Sequence, residues 1–322
     1  MSLLNGSSHP AWKGFNILPM QIELCCPAKI NLLLAVTGRR GDGFHDLISL
    51  VAPLEFGDTL RLSRSPNNRG IRLRTEGIEL SEGADNLAWR AAEGFFDRFG
   101  IEEGLDIEIV KRIPIGAGLG GGSSDAAGVL RGLSALFGID DGKALLELAA
   151  GLGSDCPLFL NGKPLIMRGR GEELEPLGGP CRQSLVGTSV ALFKPSFGIS
   201  TVWAYKALAA KRSCYASADD VENVLDRWRN GDLPLPDLLE NSFDSVVGAK
   251  YPGIPLLLER ISDDTGCRGL MSGSGSACFA LGSSHEYGRI KEIVRECWGE
   301  QAFFQETTIT DIGLTEYPSI SS

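Results

Sequence analysis

Histidine is scarce in this chain of 322 residues, which contains three of them, and none stands at metal-binding spacing from the eight cysteines. The cysteines form no C-x-x-C pair and lie mostly in apolar runs, which indicates reduced core thiols rather than metal ligands. Basic residues are fewer than acidic ones: the chain contains 31 lysines and arginines and 41 aspartates and glutamates, which gives a formal net charge of −10. That balance argues against nucleic acid or an anionic membrane as the main partner.

Long hydrophobic runs are absent as well. No apolar stretch is long enough to span a bilayer, and Met1–Asn16 lacks the apolar core of a signal peptide. Hydrophobic residues make up 43% and charged residues 22% of the chain, which is typical of a globular enzyme. The length is sufficient for two domains with separate cores. We therefore expect a cytoplasmic enzyme of two domains.

Glycine, by contrast, is concentrated in Gly116–Asp125, where five of the first seven residues are glycine. A strand-like alternation precedes this stretch at Leu105–Val110, and apolar residues at helical spacing follow it from Ala126 to Phe137. Each glycine raises the entropy cost of folding by roughly 0.5–1 kcal/mol relative to alanine, so the stretch predicts a function. Backbone N–H groups and a helix start suit a phosphate. A flexible linker is the alternative, but linkers seldom lie between a strand and a capped helix.

Three classes of phosphate loop compete for this stretch. Ser123 stands where a P-loop has lysine, and neither H-R-D nor D-F-G occurs, which excludes P-loop proteins and protein kinases. The spacing satisfies the dinucleotide fingerprint G-x-G-x-x-G, but no second strand with an acidic end follows, so a nicotinamide-dependent dehydrogenase is a more distant alternative. We expect Ser123, Ser124 and Asp125 to cap the helix. The predicted phosphate-binding residues are Gly116, Gly118, Gly120, Gly121, Gly122, Ser123 and Ser124.

An apolar strand is predicted near the N-terminus, with two polar side chains on one face. Lys29 and Asn31 share this face because side chains alternate along a strand. A charge in such a run is costly unless it is paired or used, although an edge-strand lysine could instead reach solvent. Pro27–Leu32, together with Ile113–Ala127, resembles the motifs of the GHMP kinases, which phosphorylate galactose, homoserine, mevalonate, phosphomevalonate and related small alcohols. The resemblance implies ATP and Mg²⁺ as cofactors, a catalytic Lys29 and a substrate-binding Asn31.

One turn resembles a single branch of this family. Gly38–Leu47 is similar to the G-x-R-x-D-G-Y-H-x-L turn of the 4-diphosphocytidyl-2-C-methyl-D-erythritol kinases. The resemblance implies that Phe44 stacks on a cytosine and that His45 bonds its edge. Phe44 replaces the tyrosine of the branch, so a hydroxyl contact would be lost. The resemblance also makes Thr201 and Tyr205 substrate contacts, with Tyr205 on the other face of the base. A surface histidine and a core aromatic are the alternatives.

The segment Gly153–Pro157 resembles the G-x-D-x-P segment of the same branch, in which the aspartate is the catalytic carboxylate. Asp155 would take the proton of the substrate hydroxyl as that hydroxyl attacks the γ-phosphorus. Lys29 would hold the carboxylate ionised and offset charge on the transferring group. Mg²⁺ would bridge the β- and γ-phosphates, with Ser123 or Ser124 as its protein contact. A simple turn or cap aspartate is the alternative.

Further stretches match the family in order along the chain. Asn86 and Lys111 match adenine-side positions, although Asn86 is also a plain N-cap for a helix that extends to Phe99. Leu270–Ala280 resembles the third GHMP motif, a glycine turn that closes on substrate phosphates, although it could be only a hairpin turn. Asn241 lies in an element with the family's N-x-F spacing, and we predict no role for it. The contacts predicted in the third motif are Gly273, Ser274 and Gly275.

The patterns between the motifs predict the remaining organisation. They predict a turn at Gly57-Asp58 between two short strands, a strand-like run after Pro157 and a helix at 236–248. Glycine and proline cluster at 178–180, which predicts a domain boundary, and the elements beyond it predict an antiparallel sheet covered by helices. The predicted units are a poorly ordered N-terminal extension at 1–20, an ATP-binding domain at 21–180 and a C-terminal domain at 181–316.

The resemblance extends over about residues 21–312 and implies a two-domain α+β GHMP kinase fold. Its N-terminal domain would be ribosomal-protein-like and its C-terminal domain a ferredoxin-like antiparallel sheet with helices, with the active site in the cleft between them. The implied activity is ATP-dependent phosphorylation of the 2-hydroxyl of 4-(cytidine 5′-diphospho)-2-C-methyl-D-erythritol in isoprenoid precursor synthesis. We expect this small molecule as the partner, no nucleic acid or membrane, and a monomer or weak homodimer. Alternatives are a mevalonate-type kinase and a non-catalytic nucleotide-binding protein on the same fold.

Overall fold

A computed structural model describes residues 18–78, 80–311 and 315–316 of the chain. The predicted N-terminal extension at 1–20 lies outside the described residues except for its last three. In the N-terminal half the elements are β1 (Gln21–Arg39), β2 (His45–Ser65), β3 (Ile71–Glu76), α1 (Leu87–Phe99), β4 (Gly104–Val110), α2 (Gly121–Phe137), α3 (Gly142–Leu152), α4 (Cys156–Asn161), β5 (Leu165–Arg168) and β6 (Glu173–Pro176).

The N-terminal sheet is built on the long antiparallel pair of β1 and β2, which runs from Gln21 opposite Ser63 to Arg39 opposite His45. Within the described residues the strand order is β4 between β2 and β3, with the β5–β6 hairpin on the far half of β2. The buried face of α2 packs with α1 against this sheet, as its helical spacing predicts. Gly132 permits close approach, since a Cβ there would lie 2.4 Å from a methyl of Leu62.

The predicted turn at Gly57-Asp58 is wrong, because β2 continues through both residues. A Cβ at Gly57 would lie 2.4 Å from the carbonyl oxygen of Cys26, so glycine is required where two backbones approach closely. The register slips at this point, since Pro27 pairs with Gly57 whereas Lys29 pairs with Pro53. Glycine and aspartate therefore mark an irregularity inside a long strand rather than its end.

The elements of the C-terminal half are α5 (Gly179–Leu185), β7 (Ser189–Lys194), α6 (Thr201–Ala210), a 3₁₀ turn (Arg212–Cys214), α7 (Ala218–Arg229), α8 (Leu235–Leu238), β8 (Glu240–Asn241), α9 (Asp244–Lys250), α10 (Gly253–Thr265), β9 (Gly269–Met271), β10 (Cys278–Leu281), α11 (Ser284–Trp298), β11 (Phe303–Thr308) and β12 (Thr315–Glu316). This half confirms the predicted antiparallel sheet covered by helices, with strand order β11-β7-β10-β9 among the described residues. The helices α10 and α11 pack together over it.

Two local predictions are wrong in ways that matter for the site. The apolar run after Asp155 forms the short helix α4 rather than a strand, with Pro157 in its first turn, where proline is tolerated. The helix predicted at 236–248 is interrupted, because Asn241 lies in β8 and pairs in parallel with Leu34 of β1. This short bridge joins the C-terminal half of the chain to β1, the strand that bears Lys29.

Candidate active site

A cleft of about 1100 Å³ lies between the two halves of the fold. Its wall contains the glycine stretch, the polar face of β1, the turn between β1 and β2, the start of α6 and the turn between β9 and β10. Most of the predicted site residues line it together. These are Lys29, Asn31, Phe44, His45, Lys111, Gly116, Gly118, Gly120, Gly121, Gly122, Ser123, Asp155, Thr201, Tyr205, Gly273 and Ser274.

Three predicted site residues are not part of the cleft wall. Asn86 is the N-cap of α1, where its Oδ1 accepts from the backbone N–H of Ala88 at 2.9 Å, and the next residue, Leu87, lines the cleft instead. Ser124 is fully buried beneath the helix start. Gly275 packs inward, since a Cβ there would lie 2.6 Å from the sulfur of Met271. Their predicted roles stay predictions.

The helix after the glycine stretch begins at Gly121, and the prediction that Ser123, Ser124 and Asp125 cap it is wrong. Its N-cap is Gly120 in the left-handed region, with φ +73°, and no described side chain caps it. Asp125 instead turns into the core and accepts from the Lys111 ammonium at 2.7 Å. The N–H groups of the first turn are therefore directed at the cleft, in the arrangement that binds anions.

Close packing fixes the glycine stretch from both sides. A Cβ at Gly118 would lie 2.2 Å from the carbonyl oxygen of Ser272, and a Cβ at Gly120 would lie 2.8 Å from the ring of Phe159. The backbone N–H of Lys29 donates to the carbonyl oxygen of Leu119 at 3.0 Å. The stretch is thus a rigid loop held between β1 and the third motif, which a flexible linker would not be.

Lys29 and Asp155 meet at the floor of the cleft, with Nζ 3.8 Å from Oδ2. The Lys29 side chain is 6% exposed and that of Asp155 is 35% exposed, so the carboxylate is the more accessible partner. Lys29 Nζ also donates to Asn31 Oδ1 at 2.7 Å. Burial lowers the pKa of Lys29, and the negative charge of Asp155 opposes that shift. The arrangement combines an accessible base with a buried cation.

Ser49 is a residue that sequence reasoning missed. Its hydroxyl donates to the carbonyl oxygen of Leu33 at 2.6 Å and accepts from Asn31 Nδ2 at 2.9 Å. This fixes the orientation of the Asn31 amide, with its oxygen toward Lys29. The only signal in the sequence is that Ser49 is a polar residue in an apolar strand, and its pairing with a strand 16 or 18 residues away is not visible locally.

Three rings that are predicted to contact cytosine, those of Phe44, His45 and Tyr205, line the cleft. Phe44 is 52% exposed, while His45 is buried and its ring lies 5.0 Å from that of Tyr205. His45 Nε2 is buried with no hydrogen-bond partner among the residues that the structure describes. Burial lowers the pKa of His45, which favours the neutral ring. An unpartnered ring nitrogen in a cavity wall suits the polar edge of a ligand.

Arg170 is a second residue that the sequence did not predict. Its guanidinium lies over the ring of Phe44, 4.8 Å from the centroid, and it lines the cleft. This contact covers one face of the ring and leaves the other for a ligand. Arg170 lies in the turn between β5 and β6, and nothing in the local sequence indicates that this turn faces Phe44.

The third motif closes the cleft from the C-terminal half. Thr201 Oγ1 and Ser274 Oγ form a hydrogen bond at 2.8 Å. Ser272 Oγ donates to the carbonyl oxygen of Gly118 at 3.1 Å, so the third motif contacts the glycine stretch Gly116–Asp125, the predicted phosphate loop, directly. The two predicted glycine-rich motifs, more than 150 residues apart, form one wall.

Lys111 has a different environment from that of a simple adenine contact. Its ammonium lies between the buried carboxylates of Asp58 and Asp125. Burial opposes the charged form, but the two carboxylates outweigh it and raise the pKa of Lys111. Asp58 also accepts from the backbone N–H groups of Arg112 and Ile113 at 2.6 and 2.8 Å. The cluster braces the strand that enters the phosphate loop, and the adenine-side role stays a prediction.

Metal ligands of the usual protein kinds are not grouped in this site. Among the described residues, no three histidine, cysteine, aspartate or glutamate side chains lie close enough to hold an ion. Ser123 lines the cleft, whereas Ser124 Oγ is buried with no partner in the described part of the chain. Of the two predicted contacts for Mg²⁺, Ser123 is therefore the one whose hydroxyl suits the role. None of the helices in the described ranges has the length and apolarity to span a bilayer.

Comparison with known proteins gives two matches to domain families. Residues 86–163 match the GHMP kinases N terminal domain and residues 228–300 match the GHMP kinases C terminal domain. Each match falls inside one of the predicted domains, 21–180 and 181–316, whose bounds stay a prediction.

Individual relatives are similar over most of the chain. The 4-diphosphocytidyl-2-C-methyl-D-erythritol kinase of Anaeromyxobacter dehalogenans is 38% identical over 262 residues, which is 81% of this chain and 81% of the relative. A crystal structure of 4-(cytidine 5′-diphospho)-2C-methyl-D-erythritol kinase is 36% identical, with a TM-score of 0.72, and covers 89% of this chain and 99% of its own. Homoserine kinase from Cytophaga hutchinsonii, at 18% identity and a TM-score of 0.72 over 94% of this chain and 99% of its own, shares the fold.

Proposed function

Because this chain belongs to the GHMP kinases and to their 4-diphosphocytidyl-2-C-methyl-D-erythritol kinase branch, we propose that it transfers the γ-phosphate of ATP to the 2-hydroxyl of 4-(cytidine 5′-diphospho)-2-C-methyl-D-erythritol. The products are ADP and the 2-phosphate, an intermediate of isoprenoid precursor synthesis. The observation that carries the proposal is the Lys29–Asp155 pair, 3.8 Å apart, on the floor of a cleft that ends in an anion-binding helix start.

The chemistry follows from the accessibility of each partner. Asp155 accepts the proton of the 2-hydroxyl as its oxygen attacks the γ-phosphorus, and the bond from that phosphorus to the bridging oxygen of ADP breaks. Lys29 is buried, so its charge acts at short range in a poorly screened environment. It pairs with the Asp155 carboxylate and stabilises the negative charge of the transferring group. Phosphoryl transfer has a loose transition state, so alignment and charge stabilisation supply most of the rate.

The first turn of α2 holds the phosphates of ATP through its free N–H groups, with Gly120 and Gly118 too closely packed to accept a side chain. Ser123 is the side chain that would contact Mg²⁺, since it lines the cleft. When bound, that ion would supply positive charge to offset the negative charge of the phosphates.

The end of the cleft that we predict to bind cytosine favours this substrate over a mevalonate-type alcohol. Phe44 offers an exposed ring face, and His45, next to Tyr205, offers a ring nitrogen with no partner in the described part of the chain; a small alcohol without a base would use none of them. A neutral imidazole can donate or accept one hydrogen bond at the base edge. Competition by cytidine diphosphate against the alcohol substrate therefore separates the two candidates, and its absence would favour the mevalonate type.

The direct test is coupled ADP release with ATP, Mg²⁺ and the cytidylylated alcohol, beside mevalonate, homoserine and galactose. We expect turnover with the cytidylylated alcohol alone. The Asp155→Asn variant keeps the size of the side chain but not the base, and we expect its kcat to fall by about 100-fold or more. Turnover with a different alcohol would refute the cytosine site but keep the mechanism. ATP binding without any turnover would support a non-catalytic nucleotide-binding protein.

A further inference from the structure

Asn241 is a buried amide, and both of its polar atoms have hydrogen-bond partners. Its Nδ2 donates to the carbonyl oxygens of Met271 and Gly273, both at 2.8 Å. Its Oδ1 accepts from the backbone N–H of Phe243 at 2.9 Å. These partners fix the orientation of the amide, since a flipped side chain would present its oxygen to two carbonyl oxygens.

The turn that Asn241 holds lies against the reacting groups. A Cβ at Gly273 would lie 3.2 Å from the carbonyl oxygen of Gly118 and 3.5 Å from Asn31 Oδ1. That same Oδ1 accepts from Lys29 Nζ at 2.7 Å. Gly273 is therefore wedged between the phosphate loop and the Lys29–Asn31 pair, and Ser274 beside it faces the cleft.

Asn241 is itself anchored to the strand that bears Lys29. It belongs to β8, which pairs in parallel with Leu33–Leu34 of β1. The next residue, Ser242, donates its N–H to the carbonyl oxygen of Leu34 and accepts at Oγ from the N–H of Val36, both at 2.9 Å. One side chain thus connects the catalytic strand to a turn of the C-terminal sheet.

We propose that Asn241 is a positioning residue, which sets the Gly273–Ser274 turn against the Lys29–Asn31 pair and thereby orients the alcohol substrate for attack. This inference rests on the proposed function. The phosphate loop has its own anchors, because Lys29 N–H donates to the carbonyl oxygen of Leu119 and Ala277 N–H to that of Ala117. Loss of the Asn241 contacts therefore affects the alcohol more than the nucleotide.

The test compares three variants of the full chain. Asn241→Asp keeps the size and the oxygen that accepts from Phe243, but it replaces the two donors with an oxygen. Asn241→Ala removes the whole amide. Ser242→Ala is the matched control, because it removes a hydrogen bond between the same segment and β1 without touching the Gly273 turn. For each, kcat and KM of the alcohol are measured at saturating ATP, with ADP affinity by calorimetry and Tm by circular dichroism.

We expect kcat/KM for the alcohol to fall by about 100-fold in Asn241→Asp and Asn241→Ala, as for a misplacement of about 1 Å at a reacting centre. ADP affinity stays close to that of the unchanged protein. Ser242→Ala lowers Tm without this kinetic loss. An equal kinetic loss in Ser242→Ala, or unchanged kinetics in Asn241→Asp, would overturn the positioning role.

Failure of the proposed function gives a different result. If the unchanged protein turns over another alcohol, the same variants are compared on that alcohol. The positioning role is then supported if kcat/KM falls in the two Asn241 variants and not in Ser242→Ala, and refuted otherwise. If the unchanged protein turns over none of the alcohols, both the proposed function and the positioning role are refuted.

Discussion

Asn31 could turn either its oxygen or its amino group toward Lys29, and Ser49 decides between them. The Ser49 proton is directed to the carbonyl oxygen of Leu33, so its Oγ accepts from Asn31 Nδ2. Asn31 Oδ1 is left for the Lys29 ammonium, at 2.7 Å. In the proposed mechanism, the remaining donors of that ammonium serve Asp155 and the transferring phosphate.

Ser49→Ala removes this constraint without changing any group that contacts the substrate in the mechanism. A flipped Asn31 would direct its amino group at the Lys29 ammonium, which repels it. The loss of one buried hydrogen bond, about 1–1.5 kcal/mol, corresponds to a fall in kcat of roughly tenfold. Steady-state ADP release measures it. Ser63→Ala is the control, since Ser63 lies on the same strand and outside the cleft wall. Equal kcat in the two variants would contradict the role of Ser49.

At the scale of elements, the phosphate loop depends on backbone conformation and close packing together. Gly120 combines φ +73° with a Cβ position 2.8 Å from the ring of Phe159. In Gly120→Ala, the left-handed conformation costs about 1–2 kcal/mol and the overpacking about 1–3 kcal/mol. Both are relieved if the first turn of α2 moves, which displaces its N–H groups from the phosphates. We therefore expect ADP affinity, measured by calorimetry, to fall by about tenfold or more.

Gly142→Ala is the matched control for this change. Gly142 opens α3 with an ordinary φ, and no described atom lies within 4 Å of an added Cβ. Alanine favours a helix more than glycine does, so the variant should retain ADP affinity and lose no stability. If Gly120→Ala binds ADP as tightly as Gly142→Ala, the packed loop is not needed for binding.

The element order was predictable because it depends on local periodicity, but some boundaries were not. The start of α2 was placed too late because Ser123, Ser124 and Asp125 are typical cap residues. Asp125 is drawn inward by Lys111, a partner 14 residues earlier that periodicity does not reveal. Asp58 belongs to the same cluster, 53 residues from Lys111, and for the same reason the local pattern at Gly57-Asp58 predicts only a turn.

At the scale of the whole molecule, the motifs were predictable in order but not their contacts. Lys29 and Asp155 were paired from the chemistry of the reaction, and the structure brings them together. Asn241 received no role because its partners lie 30 and 32 residues further along, in the third motif. Contacts of this kind depend on how the two halves of the fold meet, which no local pattern encodes.

A second connection between the halves is an ion-pair cluster away from the cleft. Arg168, at the end of β5, makes two hydrogen bonds to Glu222 of α7, at 2.7 and 3.0 Å. Arg229, also on α7, donates to Glu175 of β6 at 2.7 Å. These bonds join the N-terminal hairpin to a helix of the C-terminal half. The hydrogen bond from Arg168 lowers the pKa of Glu222.

This lowered pKa predicts a pH-dependent stability. The folded-state pKa of Glu222 lies below its unfolded value, so its contribution is complete above about pH 5 and is lost as pH falls through the folded pKa. Glu222 is partly exposed, which limits the contribution to about 1 kcal/mol. At pH 7 we expect Glu222→Gln to lower Tm by about 2 °C, and we expect the difference to shrink as pH falls below about 4.5 and to vanish below the folded-state pKa of Glu222. Thermal melts across this range measure the difference in Tm.

Glu259→Gln, on the exposed face of α10, is the control and should match the Tm of the unchanged protein throughout. A Tm difference for Glu222→Gln that persists undiminished in acid would show that packing, rather than the charge, joins the hairpin to α7.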